Sequence, residues 1–586
     1  MIVFTKDYSM ISFLNICLIL LYLKSSSVEA NDVDVTLPGG AVLRGTTEYT
    51  IRKGRKYYAF RAIPYAQPPL ERHRFMPTLP GFEWEGVFDA TQPGRPCAQA
   101  ALGIMEGTED CLHLYVYTPK LHTEEKNSSS LPVIVWIHGG SFVVGSAAVI
   151  QESFLMERNV VLVIPQYRLG YLGFLKTQRG FAGGNMGLLD QQAALTWVQK
   201  NVAAFGGDPN RVILAGEDAG GAAALYHMLS PLSEGLFNGV ISFSGSPLAP
   251  WAYMRQEHRF NLMVANFVKC PSYDPELMVK CFQETDVFEL LNGTQMLMES
   301  RDPVVGNNKI GPVAQDSAYA NETTLFLPDH PLKLLSAGKI HQVPVVMGVT
   351  RDVGGYLVDM LLYDFIRFHL EENPRYLEGL LIMLIKECDI RNASLHEKEF
   401  RDFYFPNNEF HDLESLLPGL MKMLGDIHYK ASILSTAGLL SEHVPTWVYR
   451  FEYEGGPNLF NIRFSDSSSA PPMPPTVGHG DEVIHILPEV NIDYTPNQRD
   501  MSEDLLNMVE NFAYGRLPVR NWPLFNLETY DTLVWKADGT TTLKPFATPE
   551  TIEMLRNIHL YHHEKILNSL REESLQATAD IVHEEL

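Results

Sequence analysis

The segment Gly216-Glu217-Asp218-Ala219-Gly220 has the spacing of a catalytic turn, but an unexpected residue stands at its centre. The apolar run 211–215 (RVILA) precedes it and reads as a buried strand, and 221–229 (GAAALYHML) follows and reads as a helix. A strand, a tight turn with small residues at Gly216, Ala219 and Gly220, and a helix together lift the middle side chain toward substrate. For acyl transfer that side chain should be a serine; here it is Asp218. A carboxylate attacks an ester carbonyl poorly. The adduct expels the carboxylate in preference to the alkoxide, and forward reaction would give an anhydride. At a helix N-terminus, beside backbone N–H groups, its negative charge is favoured. The expected arrangement is an Asp218 that accepts hydrogen bonds from those N–H groups and pairs with a histidine.

The elements that must position this turn are legible as apolar runs. Residues 133–137, 160–164, 211–215, 240–243, 343–349 and 446–451 read as strands. Their apolarity is continuous and not alternating, which suits strands covered on both faces. Residues 190–204 (DQQAALTWVQKNVAA) read as a helix with Asp190 as its start signal and Gly206-Gly207 as its stop. Alternating strands and helices predict a mostly parallel sheet with right-handed crossovers. Residues 250–335 and 355–440 read as helical or loop insertions, which in this architecture fall over the site at the carboxyl ends of the strands. Residues 465–476 (SDSSSAPPMPPT) are a loop by composition, and 549–586 read as one or two polar helices. No internal repeat and no linker divides the body.

Further segments, in order, carry a family resemblance. They are 60–69 (FRAIPYAQPP), Glu109-Asp110-Cys111-Leu112, 135–142 (VWIHGGSF), 167–175 (YRLGYLGFL), 184–191 (GNMGLLDQ), 205–211 (FGGDPNR), Ser244-Gly245-Ser246 and 478–482 (GHGDE). Over about residues 33–570 the chain resembles the type-B carboxylesterase/cholinesterase family of α/β-hydrolases. The resemblance implies an α/β-hydrolase fold, with a mostly parallel central sheet, helices on both faces and helical insertions over the site. It implies an oxyanion hole from the N–H groups of Gly139, Gly140 and Ala219, which ester hydrolysis needs for the charge developing on the carbonyl oxygen. It places His479 at the position of the catalytic base. The family's acid falls in a segment resembling G-x-T-x-D-E-G, where Gly348-Val349-Thr350-Arg351-Asp352-Val353-Gly354 puts Val353 in place of a glutamate. Asp352 is adjacent, but neighbours in an extended segment point to opposite sides. Loss of the acid alone costs about 10⁴ in kcat in a serine triad. Two of three triad positions, Asp218 and Val353, are therefore degenerate. The family includes catalytically dead members that serve as adhesion or binding modules.

Composition bounds the setting. The chain has 586 residues, 45% of them hydrophobic, and a net charge of −24, which argues against nucleic acid and anionic membranes as partners. Residues 10–23 (MISFLNICLILLYL) are apolar but too short to span a membrane, Lys6 precedes them, and Val28-Glu29-Ala30 resembles a signal-peptidase site. We read residues 1–30 as a signal peptide and Asn31 as the mature start, with an uncleaved anchor as the alternative. No second long apolar stretch suggests an integral anchor elsewhere. Outside the leader, Cys97 and Cys111 form one close pair and Cys270 and Cys281 another, suggesting two small disulfide loops, though spacing alone does not fix connectivity. The first pairing also matches the family's first loop. Cys388 is left over, as a buried free thiol or an intermolecular link. Sequons begin at Asn127, Asn292, Asn321 and Asn392. After a body spanning 31–570, the tail 571–586 ends in His583-Glu584-Glu585-Leu586, one Asp-to-Glu change from an ER-retrieval signal.

The expected protein is thus carboxylesterase-like and lies in the endoplasmic reticulum lumen, or is secreted. It is inactive or very weak on esters, and it binds a hydrophobic small molecule or a protein partner. The alternatives are a carboxylic ester hydrolase with residual activity, or an epoxide- or haloalkane-type hydrolase with Asp218 as nucleophile and His479 activating water. No cofactor and no metal are expected.

Overall fold

The computed structural model describes residues 32–584 except 82–83, 102–103, 122–128, 255–257, 300–309, 359–375, 388–389, 391–392, 407–412, 460–475 and 490–491. The leader, Asn127, Cys388, Asn392, most of the Ser/Pro loop and the last two residues lie outside the described residues.

Short apolar, β-branched runs become strands because a pleated backbone lets both their faces pack. In chain order they are β1 (Asp32–Thr36), β2 (Val42–Tyr49), β3 (Lys56–Pro64), β4 (Val87–Asp89), β5 (Gln99–Ala101), β6 (Ile104–Glu106), β7 (His113–Thr118), β8 (Leu131–Ile137), β9 (Val161–Pro165), β10 (Gly207–Glu217), β11 (Gly239–Phe243), β12 (Val345–Thr350), β13 (Thr446–Phe451), β14 (Asp531–Trp535) and β15 (Thr541–Pro545). All but β5 and β6, which pair with each other, join one sheet in the order β1-β2-β3-β7-β9-β8-β10-β11-β12-β13-β14-β15, with β4 beside β2. The block from β9 to β14 is parallel. Antiparallel strands extend it at both ends. The sequence reading included neither those outer strands nor the parallel β14, although β7 is buried along its whole length.

The parallel strands are buried on both faces, as their continuous apolarity predicts. Val133, Val135 and Ile137 of β8 face one core, whereas Ile134 and Trp136 face the other. Each such side chain contributes about 1.5–3 kcal/mol on burial. The region 250–335 holds helices His258–Phe267, Pro275–Glu284, Val287–Glu299 and Pro331–Ser336. The region 355–440 holds Tyr376–Glu387, Ala393–Tyr404, Leu413–Gly425 and Ala431–Ser441. Both regions are therefore helical insertions. Disulfides join Cys97 to Cys111 and Cys270 to Cys281.

One boundary differs from the sequence reading for a clear reason. The helix expected to begin at Asp190 runs Met186–Asn201, with Asn185 at its cap in a left-handed conformation. Asp190 is instead fully buried inside the helix and takes both Nε and Nη2 of Arg168 at 2.8 Å. A buried, bidentate ion pair, and not a cap, explains the carboxylate there. The expected stop holds: a short 3₁₀ turn, Val202–Phe205, ends on Gly206 at φ +78°. The polar C-terminal stretch is one helix, Pro549–Glu584.

Candidate active site

The carboxyl ends of β8, β10 and β11 lie side by side, because Gly216 of β10 is in register with Ile137 of β8 and Glu217 with Phe243 of β11. The chain leaves β10 through Asp218, at φ +54°, ψ −119°, and enters the helix Ala219–Leu229 at once. A non-glycine residue in that region is strained, and such strain persists only where its surroundings fix it. Here the Asp218 N–H donates to the Phe243 carbonyl at 2.9 Å, and the Asp218 carbonyl accepts from the Ala222 N–H at 3.0 Å. The flanking glycines are required by contact. A Cβ on Gly220 would lie 1.9 Å from the Ile137 carbonyl oxygen, and one on Gly216 would lie 2.4 Å from the Gly220 carbonyl carbon.

The loop after β8 turns its N–H groups onto Asp218. Gly140, Ser141 and Phe142 follow one another at φ +105°, +54° and +64°, a run that brings successive N–H groups to one point and makes an anion cradle. Asp218 Oδ2 accepts from the Gly140 N–H at 3.0 Å and the Ser141 N–H at 2.7 Å. Ala219 N–H contributes a further bond to this carboxylate. The donors found are thus Gly140, Ser141 and Ala219, with Ser141 where Gly139 was expected. Gly139 serves by lacking a side chain, since a Cβ there would sit 2.7 Å from Glu217 Oε2.

His479 reaches the same place from the loop after β13. That loop is pinned by buried Asp481, which accepts from the Gly478 N–H at 2.7 Å and the Leu459 N–H at 2.9 Å. His479 Nε2 lies 2.9 Å from Glu217 Oε1 and 3.6 Å from Asp218 Oδ1. The short contact therefore goes to Glu217, whereas the partner expected from sequence was Asp218, held here at ion-pair distance. Tyr356 stacks on the imidazole at 5.0 Å and Tyr429 tilts over it at 4.9 Å, their hydroxyls joined at 2.9 Å. Burial pulls the His479 pKa down, but Glu217 and Asp218 outweigh it and hold the ring up at about 10. The two adjoining aromatic rings also favour a cationic imidazole. Asp218 is raised by burial yet ends below its ordinary value, because His479 and the Ser141 and Ala219 N–H groups outweigh that burial.

His479 Nδ1 is buried and has no hydrogen-bond partner among the described residues. None of Val353, Asp352 and Glu482 bonds to it. Val353 is fully buried and apolar. Asp352 turns away, as expected of its neighbour position: its Oδ2 accepts from Arg351 Nε at 2.9 Å and from the Val477 N–H at 3.0 Å. Glu482 is buried beneath Ser244 and Tyr449, whose hydroxyls donate to its Oε1, and burial raises its pKa to about 7. His138, in the loop after β8, is held neutral by burial, with its pKa lowered to about 4, and stacks on Tyr167.

Sequence reasoning missed Glu217, Ser141, Tyr356 and Tyr429. Only Glu217 carried a signal, as a carboxylate adjoining the elbow residue in a strand about to end. The tyrosines lie at opposite ends of the insertion 355–440 and had none. Of the sequons, Asn292 and Asn321 are described, and both are exposed.

A two-sided, mostly parallel sheet with a strand–elbow–helix at its carboxyl edge and a late-loop histidine against the elbow defines an α/β-hydrolase. The Carboxylesterase family profile matches residues 31–551, and the chain belongs to that family. Among its relatives, the cocaine esterase of Oryctolagus cuniculus is 33% identical, over 83% of this chain and 89% of that protein. Esterase E4 of Myzus persicae is 32% identical, over 86% and 88%. The juvenile hormone esterase of Manduca sexta, solved with OTFP covalently attached, shares the fold at a TM-score of 0.77 and 23% identity, covering 90% of this chain and all of that one. Among the described residues no helix is long and apolar enough to cross a membrane.

Proposed function

We propose that this carboxylesterase-family protein does not turn over esters at the rates of a serine esterase, and that it acts in the secretory pathway by binding an apolar ligand or a protein. The carrying observation is the seating of Asp218. Its Oδ2 fills the N–H cradle that would hold a developing oxyanion, and together with Glu217 it keeps a proton on His479. A base with a pKa of about 10 is neutral in only about one molecule per thousand at pH 7. The nucleophile position, the cradle and the base are then all committed to one another. In this reading Asp218, Val353 and His479 stand at the triad positions, residues 1–30 direct the chain to the secretory pathway, and the C-terminal tetrapeptide retains it in the endoplasmic reticulum. The test is ester turnover by the purified chain and by Asp218→Ser with and without Val353→Glu.

One observation favours a second reading. Asp218 Oδ1 is buried without a hydrogen bond while Oδ2 is held in the cradle, so Oδ1 is oriented as a carboxylate nucleophile for an epoxide or alkyl halide would be. Attack would form an ester on Asp218: an alkyl halide would lose halide, and an epoxide would open to an alkoxide that stays on the alkyl group and takes a proton from His479. Hydrolysis of that ester needs a neutral His479, which the Glu217 contact opposes. A stable covalent ester on Asp218 after incubation with an epoxide would support this reading over the first.

A further inference from the structure

A cleft of about 1170 Å³ lies away from the elbow, between the β1–β2 turn, the segment after β3, the helix Met186–Asn201 and the short stretch Thr323–Thr324. It exceeds the roughly 300–1,000 Å³ typical of small-molecule pockets. Neither Asp218 nor His479 lines it. Trp84 and Trp197 give it aromatic surface, and Gln192 and Thr196 give it neutral polar surface. Among the described lining residues Lys200 alone is charged. Aromatic faces with uncharged hydrogen-bonding groups suit a ligand that has apolar C–H faces and many neutral hydroxyls, which is to say a carbohydrate. A cationic ligand would find no opposite charge among the described lining residues.

The sequence places a carbohydrate attachment point at its edge. Asn321 is exposed on a turn. Its Oδ1 accepts from the Thr323 N–H at 2.9 Å, the Thr323 hydroxyl at 2.7 Å and the Thr324 hydroxyl at 3.1 Å. Those same two threonines line the cleft. Asn321 Nδ2, the atom that would carry a glycan, stands outside these bonds. We propose that an N-glycan on Asn321 lies in this cleft with its proximal sugars against Trp84 and Trp197, fastening the segment 321–324 to the helix Met186–Asn201. Tethering gives millimolar-range effective concentration over a short span, so weak sugar–aromatic contacts suffice to hold it. The proposal rests on the secretory-pathway reading.

The test uses the full chain expressed through a eukaryotic secretory pathway, with site-resolved mass spectrometry after endoglycosidase treatment. The Asn321 glycan should be released about tenfold more slowly from native than from denatured protein, since cleavage tracks the undocked population. Gly39 lines the cleft, and a Cβ there meets nothing within 4 Å and needs no left-handed backbone. Gly39→Trp should therefore obstruct the cleft without disturbing the fold and reduce the protection. As a second measurement, Asn321→Gln empties the cleft, so added chitobiose should change tryptophan fluorescence in that variant and not in the glycosylated chain. Equal release from native and denatured protein, protection that is undiminished in a folded Gly39→Trp, or no chitobiose response in Asn321→Gln would each overturn the proposal. A bare Asn321 in a chain glycosylated at another sequon overturns it and leaves the secretory reading standing. A chain that retains residues 1–30 and carries no glycan at any sequon removes both.

Discussion

Asp218→Ser, made alone and with Val353→Glu, tests the arrangement of the site most directly. In the native chain two carboxylates hold a proton on His479 Nε2: Glu217 at 2.9 Å and Asp218 at 3.6 Å. The difference between a pKa of about 10 and the ordinary 6.5 corresponds to about 5 kcal/mol in favour of the imidazolium. The serine variant removes Asp218 and frees the Gly140 and Ser141 N–H groups for an oxyanion. It leaves Glu217 in place and leaves Nδ1 without an acceptor. Its esterase activity should be weak at pH 7 and should rise toward pH 10 as His479 loses its proton. Val353→Glu adds a carboxyl group at the position of the family's acid, as the intended acceptor for Nδ1. Since the orienting acid is worth about 10⁴ in a serine triad, the double variant should exceed the single by about 10²–10⁴ in kcat/KM at neutral pH. Val353→Glu alone should stay inactive and lose thermal stability, because a carboxyl group in a fully buried apolar site costs several kcal/mol unless paired. The assay is p-nitrophenyl ester hydrolysis across pH 6–10, with Tm measured for each protein. Robust hydrolysis by the unmodified chain that disappears in His479→Ala would refute the reasoning, as would a single variant equal to the double.

Other outcomes follow from the same geometry. Glu217→Gln removes the strongest contributor to the raised His479 pKa, so the imidazole NMR titration should move down from about 10 toward neutrality; an unmoved titration would contradict the ion-pair assignment. The raised pKa also means that this contribution to stability is full below pH 6.5 and is lost as pH rises through about 10, a loss that Glu217→Gln should blunt in alkaline denaturation. His138, His227 and His485 are buried with pKa values lowered to about 4, 3 and 3. The unfolded chain binds these protons more readily, so stability should fall as pH drops from 6.5 toward 4, read as a lower Tm at pH 5 than at pH 7. Deleting His583–Leu586 should send the protein to the medium, and equal secretion of the intact chain would reduce that tail to a helix end.

The sequence by itself determined the parts that depend on local order along the chain. The elbow was legible because Gly216, Ala219 and Gly220 surround a lifted residue between a β-branched run and a helix former. Six of the parallel strands, β8 to β13, were legible because burial on both faces forces unbroken apolarity, whereas β14 was not read. The two degenerate positions, Asp218 and Val353, needed only the family's motif order, and the tight spacing of the cysteines already suggested both disulfide loops. Asp190 shows where this reasoning stops: a carboxylate before an apolar helix looks like a cap until Arg168, twenty-two residues away in sequence, takes both its oxygens. The antiparallel margins of the sheet were also unread: β1, β2 and β15 are partly exposed and carry no continuous apolar signal, whereas β7 is buried along its whole length and its run was passed over. Only the tertiary structure decided which carboxylate meets His479. Glu217 and Asp218 are adjacent, but the left-handed turn at Asp218 sends its Oδ2 into the cradle of Gly140 and Ser141 and leaves Glu217 at the end of its strand facing the imidazole. Only the fold could bring Tyr356 and Tyr429, from opposite ends of one insertion, against that ring. The proton on His479 is thus a property of packing: charges and aromatic faces far apart along the chain converge on one buried nitrogen.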